Sequence, residues 1–333
     1  MQFSPSPVPS TSFKALEPER KYLWGVCYRM TGSAADADDL VQETFVRALE
    51  RPPADREKPW RPWLVRVAMN LARDQLRQRR RRGYPGVWLP TPIEGTEGLA
   101  AESLEASHDE SPETRYGLME SASFAFLVAV EALTPSQRAV LLLRDVFDYS
   151  SRETGEMLEM SEEAVRTTLH RARKAMADYD RDKRPFSAET IRAVETTLEE
   201  ILACIALKQA EKGRALLSER TVSLTDGGGV WHAGRAPVHG PEKILRMYMK
   251  LATKASPAAS FEIRRVNGLP ALVAEDPAPS RPNAPRVVVL IDLDHSGKIR
   301  SMFSVIAPAK LGRMRWPRLG PLAAFSTVSS AKD

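Results

Sequence analysis

Cysteine is scarce: two thiols, Cys27 and Cys204, stand in 333 residues. They lie far apart, each inside an apolar helical pattern. That reads as two buried structural thiols, because neither a disulfide framework nor a zinc site has such spacing. A reducing, cytoplasmic setting fits. Long apolar runs are missing as well. No stretch approaches the roughly 18 residues that cross a bilayer, so no membrane partner is expected. The start, Met1 to Ser12, is rich in Pro and Ser. It lacks the basic and apolar segments of a secretory signal and reads as a disordered tail. Cofactor signatures are absent too. Asp226-Gly227-Gly228-Gly229 is no phosphate loop, because no Gly-Lys pair follows. His232 and His239 are seven apart in a Gly/Pro-rich stretch, which is not a metal-ligand spacing. No catalytic residue, metal or cofactor is assigned.

The length suits two or three domains. The net charge of +5 is mild, but its distribution is not. Residues 56–82 hold ten Lys/Arg and two acids, Glu57 and Asp74, a net of +8. Thr91 to Ser123 holds eight acids (Glu94, Glu97, Glu102, Glu105, Asp109, Glu110, Glu113 and Glu120) and one base, Arg115. The first segment suggests a polyanion partner. The second, polar and poor in large apolar residues, reads as a linker.

Residues 13–82 follow helical periodicity, with a break at Gly32-Ser33 and a stop at Arg51-Pro52-Pro53. Pro59 and Pro62 predict a loop, then a long helix from Trp63 to Arg82. On that helix Leu64, Val67, Ala68, Leu71, Ala72 and Leu76 form one stripe; Arg66, Asn70, Arg73, Asp74 and Arg77 form another. Trp60 and Trp63 precede it. Aromatics beside a basic face suit single-stranded nucleic acid, since every base offers a stackable face. A solvated charged helix over core tryptophans is the plainer alternative.

A second helical unit spans 124–180. Ser150 with Glu153 matches a capping box, and Ser161 can cap the following helix. There Val165, Leu169, Ala172 and Met176 form the core stripe, while Arg166, Thr167, His170, Arg171 and Lys174 face outward. Two short helices, a tight turn and a basic outer face make a DNA-reading unit. A plain helical hairpin is the alternative. From residue 188 the pattern mixes helical stretches (188–217, 240–254) with β-rich runs (286–293, 298–306), and Asp294-His295-Ser296-Gly297 reads as a hairpin turn. Residues 308–333 read as a loose basic tail.

Together these segments resemble the extracytoplasmic-function (group IV) sigma factors of RNA polymerase. The resemblance covers residues 14–180. It rests on Tyr28-Arg29-Met30-Thr31-Gly32-Ser33, on Asp36 to Phe45, on Trp63 to Asn70, on Leu133 to Arg138 and on Val165 to Lys174. The C-terminal part resembles the SnoaL-like extension of one subgroup, through Trp88-Leu89-Pro90-Thr91-Pro92, Asp226 to Gly229 and Val266 to Pro270. Pro277 to Pro285 looks like an insertion between strands. Thr167-Thr168 stand where many members have Ser-Arg, and Val230 where Lys usually follows the glycines.

The resemblance implies two all-α domains, the second a helix-turn-helix, then an α+β SnoaL-like domain of the cone-shaped cystatin/ketosteroid-isomerase kind. It places them at 13–84, 124–184 and 188–307, with a linker at 85–123. It implies core RNA polymerase, through its beta-prime and beta subunits, and promoter DNA as partners. Asp39, Leu40, Gln42 and Glu43 would face polymerase. Arg61, Trp63, Arg66, Asn70, Arg73 and Arg77 would face the −10 element, with the loop from Arg56 to Arg61 helping to capture a flipped base. Arg166, Thr167, His170, Arg171 and Lys174 would face the −35 element. Trp88, Leu89 and Pro90 would meet Asp226, Gly227, Gly228 and Gly229 in a regulatory contact. The C-terminal domain reads as a regulatory module; a sensor for an unknown small ligand is the alternative, ahead of an enzyme. A DNA-binding regulator that never meets polymerase is the competing reading of the whole chain, and Asp39 to Glu43 argue against it.

Overall fold

The computed structural model describes residues 13–55, 57–95, 116–231, 233, 236–280 and 283–317. The tail expected over residues 1–12, Arg56, the acids from Glu97 to Glu113, Arg115, His232 and residues 318–333 lie outside them.

The first unit consists of α1 (Phe13–Leu16), α2 (Arg20–Thr31), α3 (Ala34–Glu50) and α4 (Arg61–Arg82). Gly32 ends α2 in the left-handed conformation, φ 67°, and Ser33 starts α3 by accepting the Asp36 N–H. Helix α4 begins two residues before Trp63, with Pro62 inside its first turn. A proline is tolerated there because that N–H has no intrahelical partner anyway. The buried face of α4 is also broader than the expected stripe: Val65 and Met69 are fully buried. A second layer of helices packs on it.

That layer consists of α5 (Leu118–Ser121), α6 (Phe124–Ala129), α7 (Pro135–Asp145), α8 (Ser151–Leu158), α9 (Glu162–Ala175) and α10 (Ala177–Asp182). Capping boxes open α7 (Thr134, Gln137) and α8 (Ser150, Glu153). Ser161 caps α9, and Val165, Leu169, Ala172 and Met176 are buried. Both layers share one apolar core, which runs from Leu23, Phe45 and Leu64 to Leu141, Leu142 and Val165.

Two buried arginines stitch the layers. Arg29 donates to Ser121 Oγ at 2.7 Å and to the carbonyls of Gly25 (2.9 Å) and Leu118 (2.8 Å). Arg138 donates to the carbonyls of Met30 (2.9 Å) and Val130 (2.7 Å) and to Glu131 (2.7 Å). A guanidinium leaves water only when its donors are taken.

The third unit is α+β, as expected. Its strands are β1 (Leu217–Asp226), β2 (Val238–His239), β3 (Ser260–Val266), β4 (Leu269–Glu275), β5 (Arg286–Leu293) and β6 (Ile299–Val305). Their order is β2-β1-β6-β5-β4-β3. The β1–β6 pair is parallel and the rest are antiparallel. Asp294 holds the β5–β6 turn by accepting from Ser296 and Lys298 N–H groups, and Gly297 adopts φ 84° there.

Strand alternation gives the sheet two apolar faces. One packs on α11 (Ala188–Ala206) and α13 (Pro241–Ala252), around Val194, Leu198, Ile244, Ile291 and Met302; α12 (Ala210–Ala215) packs against both helices. The other face, with Val266, Leu290, Phe303 and Val305, packs on Leu89 of the linker and Phe124 of α6. Residues 308–316, expected as the start of a loose tail, are folded. Pro308–Leu311 forms α14, and Leu311 and Met314 are buried on that second face.

Candidate nucleic-acid surfaces and the docked linker

Period 3.6 turns Asp39, Gln42 and Glu43 outward on α3, and all three are exposed. Leu40, assigned with them, belongs to the buried stripe, at 4% exposure. It floors an open groove of about 590 Å³ between α3 and α4. Asp36, Asp39 and Glu43 line one side of this groove, Arg79 and Arg82 the other.

The six residues assigned to the −10 element separate into groups. Arg61 is tied to Glu19 at 2.7 Å and lies over the Tyr22 ring at 4.7 Å. This occupies it at the start of α4, away from the Asn70 stripe. Trp63 is half-buried, edge-on to Trp60. Arg77 is exposed and pairs with Asp74. Arg66, Asn70 and Arg73 meet the end of α8. Arg66 pairs with Glu159 at 2.9 Å, Asn70 Nδ2 donates to the Met157 carbonyl at 3.2 Å, and Arg73 donates to Asn70 Oδ1 at 3.0 Å and to the Leu158 carbonyl at 3.3 Å. On α9, by contrast, Arg166, Thr167, His170, Arg171 and Lys174 are all exposed, and Arg166 pairs along its own helix with Glu162.

The linker leaves α4 at Gly83, φ 71°, and docks into the third unit. Asp226, fully buried at the end of β1, gathers four donors. Its Oδ1 accepts from Tyr84 Oη (2.7 Å) and Gly228 N (2.9 Å); its Oδ2 accepts from Leu89 N (2.9 Å) and Lys310 Nζ (2.6 Å). Gly229, φ 75°, lies against Pro85: a Cβ there would stand 2.9 Å from Pro85 Cγ. A Cβ on Gly227 would stand 2.4 Å from the Trp231 carbonyl. Only glycine allows this approach. The Trp88 ring fills the space where a Cβ on Gly32 would be, 2.4 Å away, under Arg79 (4.2 Å) and Lys310 (4.3 Å). Leu89 and Pro90 are buried. Burial pulls the Lys310 pKa down to about 8, with Asp226 opposing. Burial, reinforced by the hydrogen bond to Asp226, raises that of Tyr84.

Sequence reasoning did not single out Lys310, and it held Asn267 only as part of the Val266 to Pro270 motif, with no role of its own. Asn267 N–H donates to the Ile93 carbonyl and its Oδ1 accepts from Ile93 N. Its Nδ2 donates to Tyr28 Oη (2.7 Å) and to the Ala122 carbonyl (2.8 Å). One side chain thus joins all three units and the linker. The available signal was the Asn267-Gly268 turn pair, which the structure puts in the left-handed region at φ 51° and φ 80°. Arg313 also pairs with Asp38 of α3, and Arg315 with Glu94 of the linker.

Asp276 of the third unit has structural partners, accepting from Ser256 and Ala278 N–H groups. Asp292 pairs with Arg300; burial raises its pKa and Arg300 opposes. Burial pushes the Cys27 thiol up to about 12, the state of an inert core thiol. Among the described residues, no group of three or more His, Cys, Asp or Glu could hold a metal ion, and no helix is long and apolar enough to cross a membrane.

Comparison with known proteins gives the arrangement a relation. The Sigma-70 region 2 model matches residues 16–82, and the Sigma-70, region 4 model matches residues 123–176. The ECF RNA polymerase sigma factor SigJ of Mycobacterium tuberculosis is 31% identical over 307 residues, 90% of this chain and 92% of SigJ. SigG of the same species is 39% identical over 191 residues, 54% of this chain and 50% of SigG. The crystal structure of Mycobacterium tuberculosis SigJ superposes with a TM-score of 0.68 at 27% identity, covering 90% of this chain and 98% of that one.

Proposed function

The chain belongs to the extracytoplasmic-function sigma factors, and from that premise we propose that its own C-terminal domain sets its activity by holding the linker between the two promoter-reading units. As an alternative sigma factor it serves transcription initiation. Core polymerase, through its beta-prime and beta subunits, binds the exposed acidic face of α3 at Asp39, Gln42 and Glu43. The α4 stripe of Arg66, Asn70, Arg73 and Arg77 takes the single strand of the −10 element, Asn70 reading a base edge with its donor and acceptor. The α9 residues Arg166, Thr167, His170, Arg171 and Lys174 enter the −35 major groove.

The observation that carries the regulatory part is Asp226. A fully buried carboxylate at the root of the C-terminal domain takes Tyr84 and Leu89 of the linker together with Lys310. A module attached in the same chain meets its target at an effective concentration of roughly millimolar, so docking competes well against release. Docked, the linker keeps the two DNA-reading units close; released, it lets them separate to the spacing of a promoter. The domain acts here through contact rather than catalysis.

Transcription reconstituted with core polymerase tests this. Asp226→Ala strands a buried ammonium, and breaking such a pair costs about 3–5 kcal/mol of the docked state. Asp226→Ala and Trp88→Ala are expected to alter transcript output while core binding persists. Wild-type output from both would reduce the domain to a passenger.

A further inference from the structure

The C-terminal end of α8 belongs to the unit that reads the −35 element, yet it sits on the α4 stripe assigned to the −10 element. We propose that this end is an internal stand-in for nucleic acid, which fills the single-strand site of α4 until promoter DNA displaces it, with Glu159 as its anionic member. The inference rests on the reading of α4 as the −10 face.

The chemistry of the contact matches that of a strand. Asn70 Nδ2 and an Arg73 guanidinium nitrogen donate to two successive main-chain carbonyls, Met157 and Leu158. These are among the last carbonyls of α8, have no partner within the helix and carry the negative end of its dipole. They present acceptors as a base edge does. The Glu159 carboxylate takes Arg66 at 2.9 Å, as a phosphate oxygen would. Three of the residues that would grip a strand are thereby occupied from one short segment.

Two further observations bear on it. Glu159 occupies the left-handed region, φ 58°, at the C-cap of α8. Glycine is the usual residue there, because a Cβ is disfavoured in that conformation. A strained acid at this position, aimed at Arg66, is a candidate for function rather than for stability. The fit to α4 is also incomplete: Arg73 Nε is buried with no hydrogen-bond partner among the described residues. Burial accordingly lowers the Arg73 pKa, Arg77 adding to the effect while Asp74 and Glu159 oppose it. A phosphate would satisfy that donor, so DNA has something to gain by replacing α8. Until it does, the binding-competent fraction, and with it the apparent affinity, is reduced.

The test is binding of a short, random-sequence single-stranded DNA to the full chain, followed by fluorescence anisotropy. Glu159→Gln removes the anionic member. Glu156→Gln removes the same charge one turn earlier on α8, where it pairs with Arg152. Glu159→Gln is expected to bind about two- to five-fold tighter than Glu156→Gln, the worth of one exposed ion pair. Equal affinities for the two variants overturn the proposal. Asn70→Ala combined with Arg73→Ala tests the reading beneath it. If that double variant binds the strand as wild type does, α4 is not the nucleic-acid face. If it loses binding while the two glutamine variants agree, only the stand-in fails.

Discussion

Helices α4 and α9 are both long, basic and amphipathic, and both fall where sigma-factor models match. They differ in what covers them. The outward residues of α9 are exposed, whereas Arg66, Asn70 and Arg73 of α4 are met by the end of α8. Two faces of similar composition are therefore in different states within one molecule. A basic stripe says what a helix can bind; its packing says whether the site is open.

The strongest way to break this contrast is to part the two helical units. Arg138→Ala leaves Glu131 and the Met30 and Val130 carbonyls without their buried donor. Removing one member of a buried charged set costs about 3–5 kcal/mol. Urea unfolding is expected to show a loss of that size, with tighter single-strand binding as α4 becomes as accessible as α9. Unchanged stability would mean that the apolar core alone joins the units.

The next test sharpens the contrast at the promoter. In the polymerase complex, Arg171→Ala is expected to cost about 1–3 kcal/mol and to relax preference at one −35 position, the effect of losing a bidentate base contact. Arg73→Ala should leave −35 preference unchanged and lower open-complex formation, seen in permanganate footprints. If both variants shift the same element, the division of labour between the helices is wrong.

The smallest effect is one of pH. Burial works to protonate Glu131, but Arg138 and Arg79 beside it prevail and hold its pKa below the ordinary 4.5. The stability it contributes is therefore present above that value and is lost as pH falls through the folded pKa. Arg79 also covers the Trp88 ring, so acidification should change tryptophan fluorescence there. Glu131→Gln should flatten that part of the titration; an identical profile would assign the transition to other groups.

Much was legible without coordinates. The capping box at Ser150, the α9 stripe and the β5–β6 hairpin all depend on residues within a few positions of one another, where spacing and side-chain type carry the information. The linker motif and the Asp226 glycines were legible through resemblance to a family. Their meeting was an expectation, and the structure puts Leu89 N at 2.9 Å from Asp226. Leu40 was expected to face polymerase with its acidic neighbours; the helical period turns it inward, to 4% exposure at the floor of the groove.

What the sequence by itself determined is local: which segments are helix or strand, where they stop, and which faces are apolar or basic. These follow from backbone sterics, capping and periodicity. What only the tertiary structure decided is which of those faces are occupied. Asn267 reaches Tyr28 across 239 positions, Lys310 reaches Asp226 across 84, and the α8 carbonyls reach Asn70 across 87. Such contacts have no period and no adjacent partner. They arise because an apolar core brings distant segments together, and buried polar groups must then find partners wherever the packing has left them.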